Sequence, residues 1–295
     1  MIDLHIHTTS SDGSDEPKDI LIKSQQSSLK YISITDHDSI DAYKKLKEIK
    51  VNNYFKGEII PGCEFAAVHN GKPVEILGYG IDLETINLMG VISDEKFLER
   101  ENEYLKKMMS VCKSLNLTYS NTLSIKGGKY FATQVMHSDL KKYPENEKYF
   151  TKEIWESVNA FYRICVNNED SPFFLNQMEN YPTVQEVASL IKTAGGKAFL
   201  AHLYGYFVKD YEEFLNSIVS LNALDGIECY HSLHSMDKTK YLLNYCNAHK
   251  LYVSGGSDYH GQIKPTVKIG ESIGGVQIPY EILKSWLFTL KCKSF

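Results

Sequence analysis

Paired cysteines are missing from this chain. Its six, Cys63, Cys112, Cys165, Cys229, Cys246 and Cys292, are scattered with no Cys-x-x-Cys spacing, which argues against a disulfide framework and predicts reduced thiols, most of them in the core. Long apolar runs are missing as well: none approaches the roughly 18 residues needed to span a bilayer, so no membrane partner is expected. Nor is there an excess of basic charge. With 32 Lys and Arg against 37 Asp and Glu the formal net charge is -5, which gives no footprint for duplex nucleic acid. Divalent ions on acidic ligands would remove much of that excess locally and leave a phosphate substrate admissible. Gly127-Gly128-Lys129 is not a phosphate loop, because the preceding strand, the spacing and a hydroxyl residue after the lysine are all lacking. Met1 leads straight into the first strand with no signal segment, so a soluble cytoplasmic protein is expected.

Of the 295 residues, 43% are hydrophobic, enough to bury a sizeable core in one barrel with an insertion or in two modest domains. Strand-like and helix-like patterns alternate. Ser14 or Asp15 is placed to cap a helix entered through Pro17 and running to Leu29. A second helix is read over 39–50, with Lys44, Lys45 and Lys47 on a solvated face. Thr183-Val184-Gln185-Glu186 fits a capping box, followed by Val187, Leu190 and Ile191 at helical spacing and a stop at Gly195-Gly196. Strands over 198–201, 225–229 and 251–254 are separated by helical patterns near 209–221 and 235–249. This alternation predicts an α/β fold with a mainly parallel sheet or barrel. Residues 89–181 break the rhythm with a long polar helix over 94–115, aromatic-rich helical pieces around 150–163, a loop at 167–170 and no ligand-bearing strand. They are read as a helical insertion over the barrel mouth, a place where substrate selectivity is often set, leaving 1–88 and 182–295 as the barrel.

The informative residues follow the strands. His5-Ile6-His7 opens the chain and Asp258-Tyr259-His260 stands near its end. In a strand, side chains at i and i+2 share a face about 7 Å apart at Cα, close enough for two imidazoles, or an imidazole and a carboxylate, to converge on one metal ion. One such pair alone could be a solvated strand face. Here Asp36-His37-Asp38 also ends Tyr31-Ile32-Ser33-Ile34, Glu64 follows Ile59-Ile60-Pro61-Gly62, His202 closes Ala198-Phe199-Leu200-Ala201, and Asp12 lies on the loop after the first strand. Core strands have no reason to terminate repeatedly in His, Asp or Glu, whereas a parallel barrel builds its site at the C-terminal ends of its strands. A metal centre is expected there.

Taken in order, Asp3-Leu4-His5-Ile6-His7-Thr8-Thr9-Ser10-Ser11-Asp12-Gly13, Ile34-Thr35-Asp36-His37-Asp38, Ile60-Pro61-Gly62-Cys63-Glu64, Ala194-Gly195-Gly196-Lys197-Ala198-Phe199-Leu200-Ala201-His202 and Gly256-Ser257-Asp258-Tyr259-His260-Gly261 resemble the successive motifs of the PHP (polymerase and histidinol phosphatase) metallophosphoesterases. The resemblance spans nearly the whole chain and is nearest the branch of nucleoside bisphosphate phosphatases and 5'-3' exoribonucleases. It implies a distorted seven-stranded (β/α) barrel with a helical insertion, holding two to three divalent ions at its mouth. By that resemblance His5, His7 and Asp258 are ligands of one metal, Glu64 bridges to a second that also takes His202, and Asp12, His37 and His260 take a third. Mixed imidazole and carboxylate ligation suits Mn, Fe or Zn better than Mg or Ca. Asp36 and Asp38 are expected just behind the ligands, since a carboxylate commonly orients a ligating imidazole. Thr8, Thr9 and Ser257 are expected to hydrogen-bond around the site and not to attack substrate.

The implied reaction is hydrolysis of a small phosphomonoester or phosphodiester, a nucleotide or short single-stranded RNA, by a hydroxide bridging two ions about 3.5–4 Å apart. His234, in Tyr230-His231-Ser232-Leu233-His234-Ser235, resembles the family's His-Ser pair and is expected to act as general acid or to contact phosphate. His231 is the substitute, and His231 and Ser235 are expected against the substrate. His69, His137 and His249 read as surface or structural residues. Two departures matter. Glu75 stands before Ile76-Leu77-Gly78-Tyr79 where close relatives have His, and is read as a substitute ligand. Ala132-Thr133-Gln134-Val135-Met136 stands for the relatives' Arg-Pro-His segment and lacks the arginine that would grip a second phosphate, so a monophosphate or small diester is expected in preference to a 3',5'-bisphosphate. Histidinol phosphatase, amide or lactone hydrolysis and a noncatalytic metal-binding module are the competing readings; the number of ligands counts against the last.

Overall fold

The computed structural model describes residues 1–88, 94–126, 130–176, 181–290 and 295. Gly127-Gly128-Lys129 and Cys292 lie outside the described residues. The chain divides into two compact units, Met1–Ile92 with Asn180–Phe295, and Ser93–Glu179.

Among the described residues the first unit is an α/β fold with eight strands: β1 (Ile2–Ile6), β2 (Tyr31–Ile34), β3 (Glu58–Ile59), β4 (Gly62–His69), β5 (Lys72–Tyr79), β6 (Lys197–Leu200), β7 (Gly226–Tyr230) and β8 (Tyr252–Gly255). β1, β2 and β3 form a parallel sheet in that order. β4 to β8 form a second, in which β4, β5 and β6 pair antiparallel and β6, β7 and β8 parallel. All five residues of β1 are buried, as expected of a strand covered on both faces. Ile2 and Leu4 pack with Leu77, Tyr79, Phe199 and Trp286, while Asp3, His5 and His7 alternate onto the opposite face. The helices Pro17–Gln26, Val184–Thr193, Tyr211–Val219 and Met236–His249 bury Ile20, Leu21, Val187, Ile191, Leu215, Ile218 and Leu242 in the larger core.

The helix beginning at Val184 carries the expected capping box: Thr183 Oγ1 accepts from Glu186 N, and the Glu186 carboxylate accepts from Thr183 N. The first helix is capped differently from expectation. Glu16 precedes it without a side-chain cap, Ser14 Oγ accepts from Gln262 N, and Asp15 accepts from Lys23 and Tyr259. That helix also ends at Gln26, short of Leu29, and the second is confined to Asp41–Lys47.

One closed seven-stranded barrel is not what these ladders form among the described residues. The two sheets are joined at their seams by isolated parallel bridges, Ile6 with Tyr259 and His37 with Glu64. β1 also slips register against β2 between Asp3 and Ile6. Glu64, expected after a strand, instead lies inside β4 opposite Leu77.

The second unit has its own core of Met108, Cys112, Met136 and Phe161 on the helices Asp94–Ser114, Ala132–Leu140 and Val158–Phe161, joined by Phe173 from a turn. Thr151 and Ser157 cap its short helices through their hydroxyls. Among the described residues no helix is long and apolar enough to cross a membrane.

Replacing Thr183 by alanine removes one half of the capping box. The expected result is a loss of about 1 kcal/mol, read as a lower denaturant midpoint, with the metal content of the native protein unchanged.

Candidate metal centre

β1 sets His5 and His7 on one face, and the segment after β8 brings Asp258 and His260 against them. Gly256 passes so close that a Cβ there would lie 2.1 Å from the Cβ of His5, so glycine alone admits the crossing. Asp258 adopts φ +59°, a left-handed conformation that is uncommon outside glycine and tolerated best by Asn and Asp. The β4–β5 hairpin supplies the remaining acids. Glu64 pairs with Leu77 and Ala66 with Glu75, which makes Glu64 and Glu75 diagonal neighbours on one face.

Four atoms converge first. His5 Nε2 and His7 Nε2 are 3.1 Å apart, each is 3.2 Å from Glu64 Oε2, and Asp258 Oδ1 lies 3.6 and 3.4 Å from the two rings. A tetrahedron of ligands at about 2.0–2.2 Å from an ion has edges of about 3.3–3.6 Å, so these spacings fit a bound cation. The other oxygen of Glu64, Oε1, lies 3.0 Å from His202 Nε2, which is 3.1 Å from Glu75 Oε2. His37 Nδ1 stands 3.2 Å from Glu64 Oε2 and 3.5 Å from Glu75 Oε1. In a third group Asp12 Oδ1 is 3.2 Å from His260 Nε2 and 3.5 Å from His7 Nδ1, and Asp12 Oδ2 is 3.7 Å from His37 Nε2. His5, His7, Asp12, His37, Glu64, Glu75, His202, Asp258 and His260 are thus brought into one cluster.

The protonation pattern favours a cation. His5 Nδ1 lies 2.9 Å from Glu228 Oε1, which places a ring proton there and leaves Nε2 as a lone pair toward the cluster. Burial, with His260 and His37 beside it, pushes His7 down to about 3, so its ring is neutral. Burial opposes charge on Glu64 and Asp258, yet the surrounding imidazoles, His5 first, hold both carboxyls well below the usual range. Burial opposes charge on His5 and His202 too, but the carboxylates about them hold both rings well above the usual range; His37 is raised in the same way to about 9. Without a cation those rings take up protons that metal binding must release. Among the described residues, Asp12, Glu64, Glu75, Glu228 and Asp258 face a single ammonium, that of Lys264. With neutral rings four negative charges remain, which two divalent ions offset. The mixed nitrogen and oxygen donors suit a borderline divalent metal.

Asp36 does something other than orient an imidazole. It accepts from Thr8 N and Oγ1 at 2.7 Å each and from Ser11 Oγ at 2.6 Å, fixing the turn that leads to Asp12. The Asp38 carboxylate accepts from Ala66 N, on the strand carrying Glu64. The acid that orients a ring is Glu228, which also accepts from His202 N at 2.9 Å. Sequence reasoning passed over it, although a lone carboxylate inside the apolar strand Gly226-Ile227-Glu228-Cys229 was the available signal. Asp3 was passed over as well. Burial pushes its carboxyl up to about 6 even though Ser257 N and Oγ and Gly270 N donate to it, and these bonds tie β1 to the segment bearing Asp258.

Of the candidates after β7, His231 faces the cluster: its Nδ1 accepts from Leu233 N and its Nε2 reaches to 3.3 Å of Asp258 Oδ2. The His234 ring stacks edge-on to Tyr204 with Nδ1 on the Cys229 carbonyl, and makes no ion pair with the acids of the cluster among the described residues. Ser235 caps the helix Met236–His249 through its hydroxyl. His69 and His249 stand apart, bonded to Ser217 and Tyr245 O, and His137, in the second unit, is bonded to Ile154 O.

The PHP domain pattern matches residues 3–197. Among curated proteins, the chain is 24% identical over 279 residues to the phosphoribosyl 1,2-cyclic phosphate 1,2-diphosphodiesterase of Eggerthella lenta, covering 91% of this chain and 97% of that protein. It is 22% identical over 276 residues to the 5'-3' exoribonuclease Rnm of Escherichia coli K12, covering 92% and 88%. Among solved structures it resembles one assigned as a metal-dependent phosphoesterase from Bifidobacterium adolescentis, with a TM-score of 0.70 and 21% identity over 98% of this chain and 96% of that one, a likeness of fold.

Two outcomes follow from the geometry. Glu228→Gln should weaken metal affinity about 10- to 100-fold by calorimetry, with the helical and sheet signals unchanged. Affinity in the parent should rise with pH up to about 9, the value to which His37 is raised, because protonated rings compete with the ion below it. A flat profile, with no proton release detected across buffers of different ionisation enthalpy, would contradict this.

Proposed function

The chain belongs to the PHP domain family and is a metal-dependent phosphoesterase, and from that premise we propose that it hydrolyses a small phosphomonoester or phosphodiester, a nucleotide or short oligonucleotide, at the cluster built on β1, β4 and β5 and the segments after β2, β6 and β8. The observation that carries this reading is the division of Glu64, one oxygen among His5, His7 and His37 and the other on His202, as a carboxylate shared between two ions requires.

His5, His7, Asp258 and Glu64 would hold one ion, Glu64, His202 and Glu75 a second, and Asp12, His37 and His260 a third, two to three ions of Mn, Fe or Zn. When bound, such ions supply an activated water at neutral pH and neutralise charge on the phosphoryl oxygens. The protein's own residues prepare the site. Glu228 fixes the tautomer of His5, Asp36 holds the turn that aims Asp12, and the full burial of His5, His7 and Glu64 keeps bulk water from that side. Proton delivery to the leaving oxygen is assigned to His231 in place of His234, since the His231 Nε2 is the one directed at the cluster. Residues 89–181, read as an insertion, are proposed to set substrate choice. The start of the helix Ala132–Leu140 offers no arginine for a second phosphate, which supports a monophosphate or small diester over a 3',5'-bisphosphate.

The test is a panel of p-nitrophenyl phosphate, mononucleotides, 3',5'-bisphosphates, short RNA and an acyl ester, assayed with Mn²⁺. Phosphoester turnover with kcat/KM for the monophosphate or diester above that for the bisphosphate is expected; turnover of the acyl ester alone would overturn the assignment. His7→Ala combined with Asp258→Ala should abolish metal binding and turnover while the far-ultraviolet dichroism persists.

A further inference from the structure

The segment after β8 turns back after Gly261–Ile263 and sends Lys264 over the cluster. Its Nζ donates to Asp258 Oδ2 at 2.6 Å. The two oxygens of Asp258 have separate partners. Oδ1 lies 3.4 to 3.6 Å from His5, His7 and His260, whereas Oδ2 is met by Lys264 and by His231 at 3.3 Å. The lysine therefore leaves the inward oxygen to the ring nitrogens and occupies the outward one.

Two further facts bear on its use. Among the described residues no other lysine or arginine is ion-paired with Asp12, Glu64, Glu75, Glu228 or Asp258. The Asp258 side chain is only 8% exposed, but that of Lys264 is 40% exposed, so the lysine reaches the buried cluster from a partly exposed position. An ammonium has three N–H donors, and the bond to Asp258 occupies one. The remaining donors lie beside a cluster whose five carboxylates are offset by this ammonium and by the ions the site would hold. A fixed cation there is a point charge suited to a phosphoryl oxygen.

We propose that Lys264 is the protein's own contact to the substrate phosphoryl group, a cation anchored through the outward oxygen of Asp258 with its free N–H donors directed at the non-bridging oxygens of the ester. This rests on the phosphoesterase reading above, and deepens it by naming a charge that no ligand assignment includes. No covalent step is required of the lysine; it stays protonated throughout and acts by charge and hydrogen bonding.

The test uses the full-length, metal-loaded protein and Lys264→Met and Lys264→Arg, with inorganic phosphate as the probe. Metal stoichiometry is measured first by elemental analysis, then the dissociation constant for inorganic phosphate by calorimetry, then kcat and KM for dianionic p-nitrophenyl phosphate and monoanionic bis(p-nitrophenyl) phosphate. The expectation is metal content unchanged in both variants, phosphate binding about 10- to 100-fold weaker in Lys264→Met, as for loss of a charged hydrogen bond, and partial recovery in Lys264→Arg. The kcat/KM loss should be larger for the dianion than for the monoanion. Loss of metal in Lys264→Met, or equal losses for the two esters, would assign the lysine to holding Asp258 alone and overturn the proposal. Unchanged phosphate binding in Lys264→Met, with a parent that hydrolyses phosphoesters, overturns the proposal while leaving the functional reading intact. A parent that binds phosphate through Lys264 yet hydrolyses no phosphoester overturns the functional reading and leaves the contact standing.

Discussion

Lone pairs forced against one another are the condition to which the first unit is built. The Glu64 carboxylate is completely buried, with nitrogen atoms of His5, His7 and His37 about one of its oxygens and of His202 on the other. Bringing acceptors to such distances without bulk water is strongly unfavourable unless protons or cations lie between them. Rigid surroundings are needed to keep the groups from simply turning away. They come from the strand ladders, from the Asp3 carboxylate bonded to Ser257 and Gly270, and from Glu228 bonded to His5 and the His202 amide.

Much of this was visible in the amino-acid order. The His-x-His of β1, the Asp-x-His after β8, the acids and rings after β2 and β6, and the capping box at Thr183 are short-range patterns whose geometry follows from the period of a strand or the first turn of a helix. What stayed hidden depends on pairing between distant segments. Glu64 follows the strand-like run Ile59-Ile60-Pro61-Gly62 in the sequence, and only the antiparallel partner β5 shows it inside β4 with Glu75 as a diagonal neighbour. Glu228 and Asp3 carry no local signal of their partners, since a single sequence does not reveal which ring or hydroxyl will lie opposite. The choice between His231 and His234 was similarly undecidable, since neither lies on a regular element whose period would say which of them turns inward.

The two units solve their packing in different ways. The second is sustained by sulfur and aromatic contacts, Cys112 against Met136 and Phe161 edge-on to Phe173, so its sequence is legible as helices with polar outer faces and little else. The first spends its polar residues inward, and its apolar ones are sorted between the larger core and a smaller floor under Trp286, whose indole donates to Val253 O at 2.9 Å. Residues that look alike in composition thereby serve opposite ends, and a charged residue in the first unit is informative mainly when it is buried.

The two sheets of the first unit meet through one bridge at each seam, Ile6 with Tyr259 and His37 with Glu64, and the ligand groups straddle both joins. A cation held by His5, His7, Glu64 and Asp258 would clasp the opening of the chain to its close, while one held by Asp12, His37 and His260 would tie the segment after β2 to that same close. Each would act as a cross-link between segments remote in sequence, restricting the unfolded ensemble much as a disulfide does and adding native-state stabilisation that grows with free metal concentration. Bound ions would thus take over the mechanical duty of a staple, and the seams would be the weak lines along which the metal-free fold opens first.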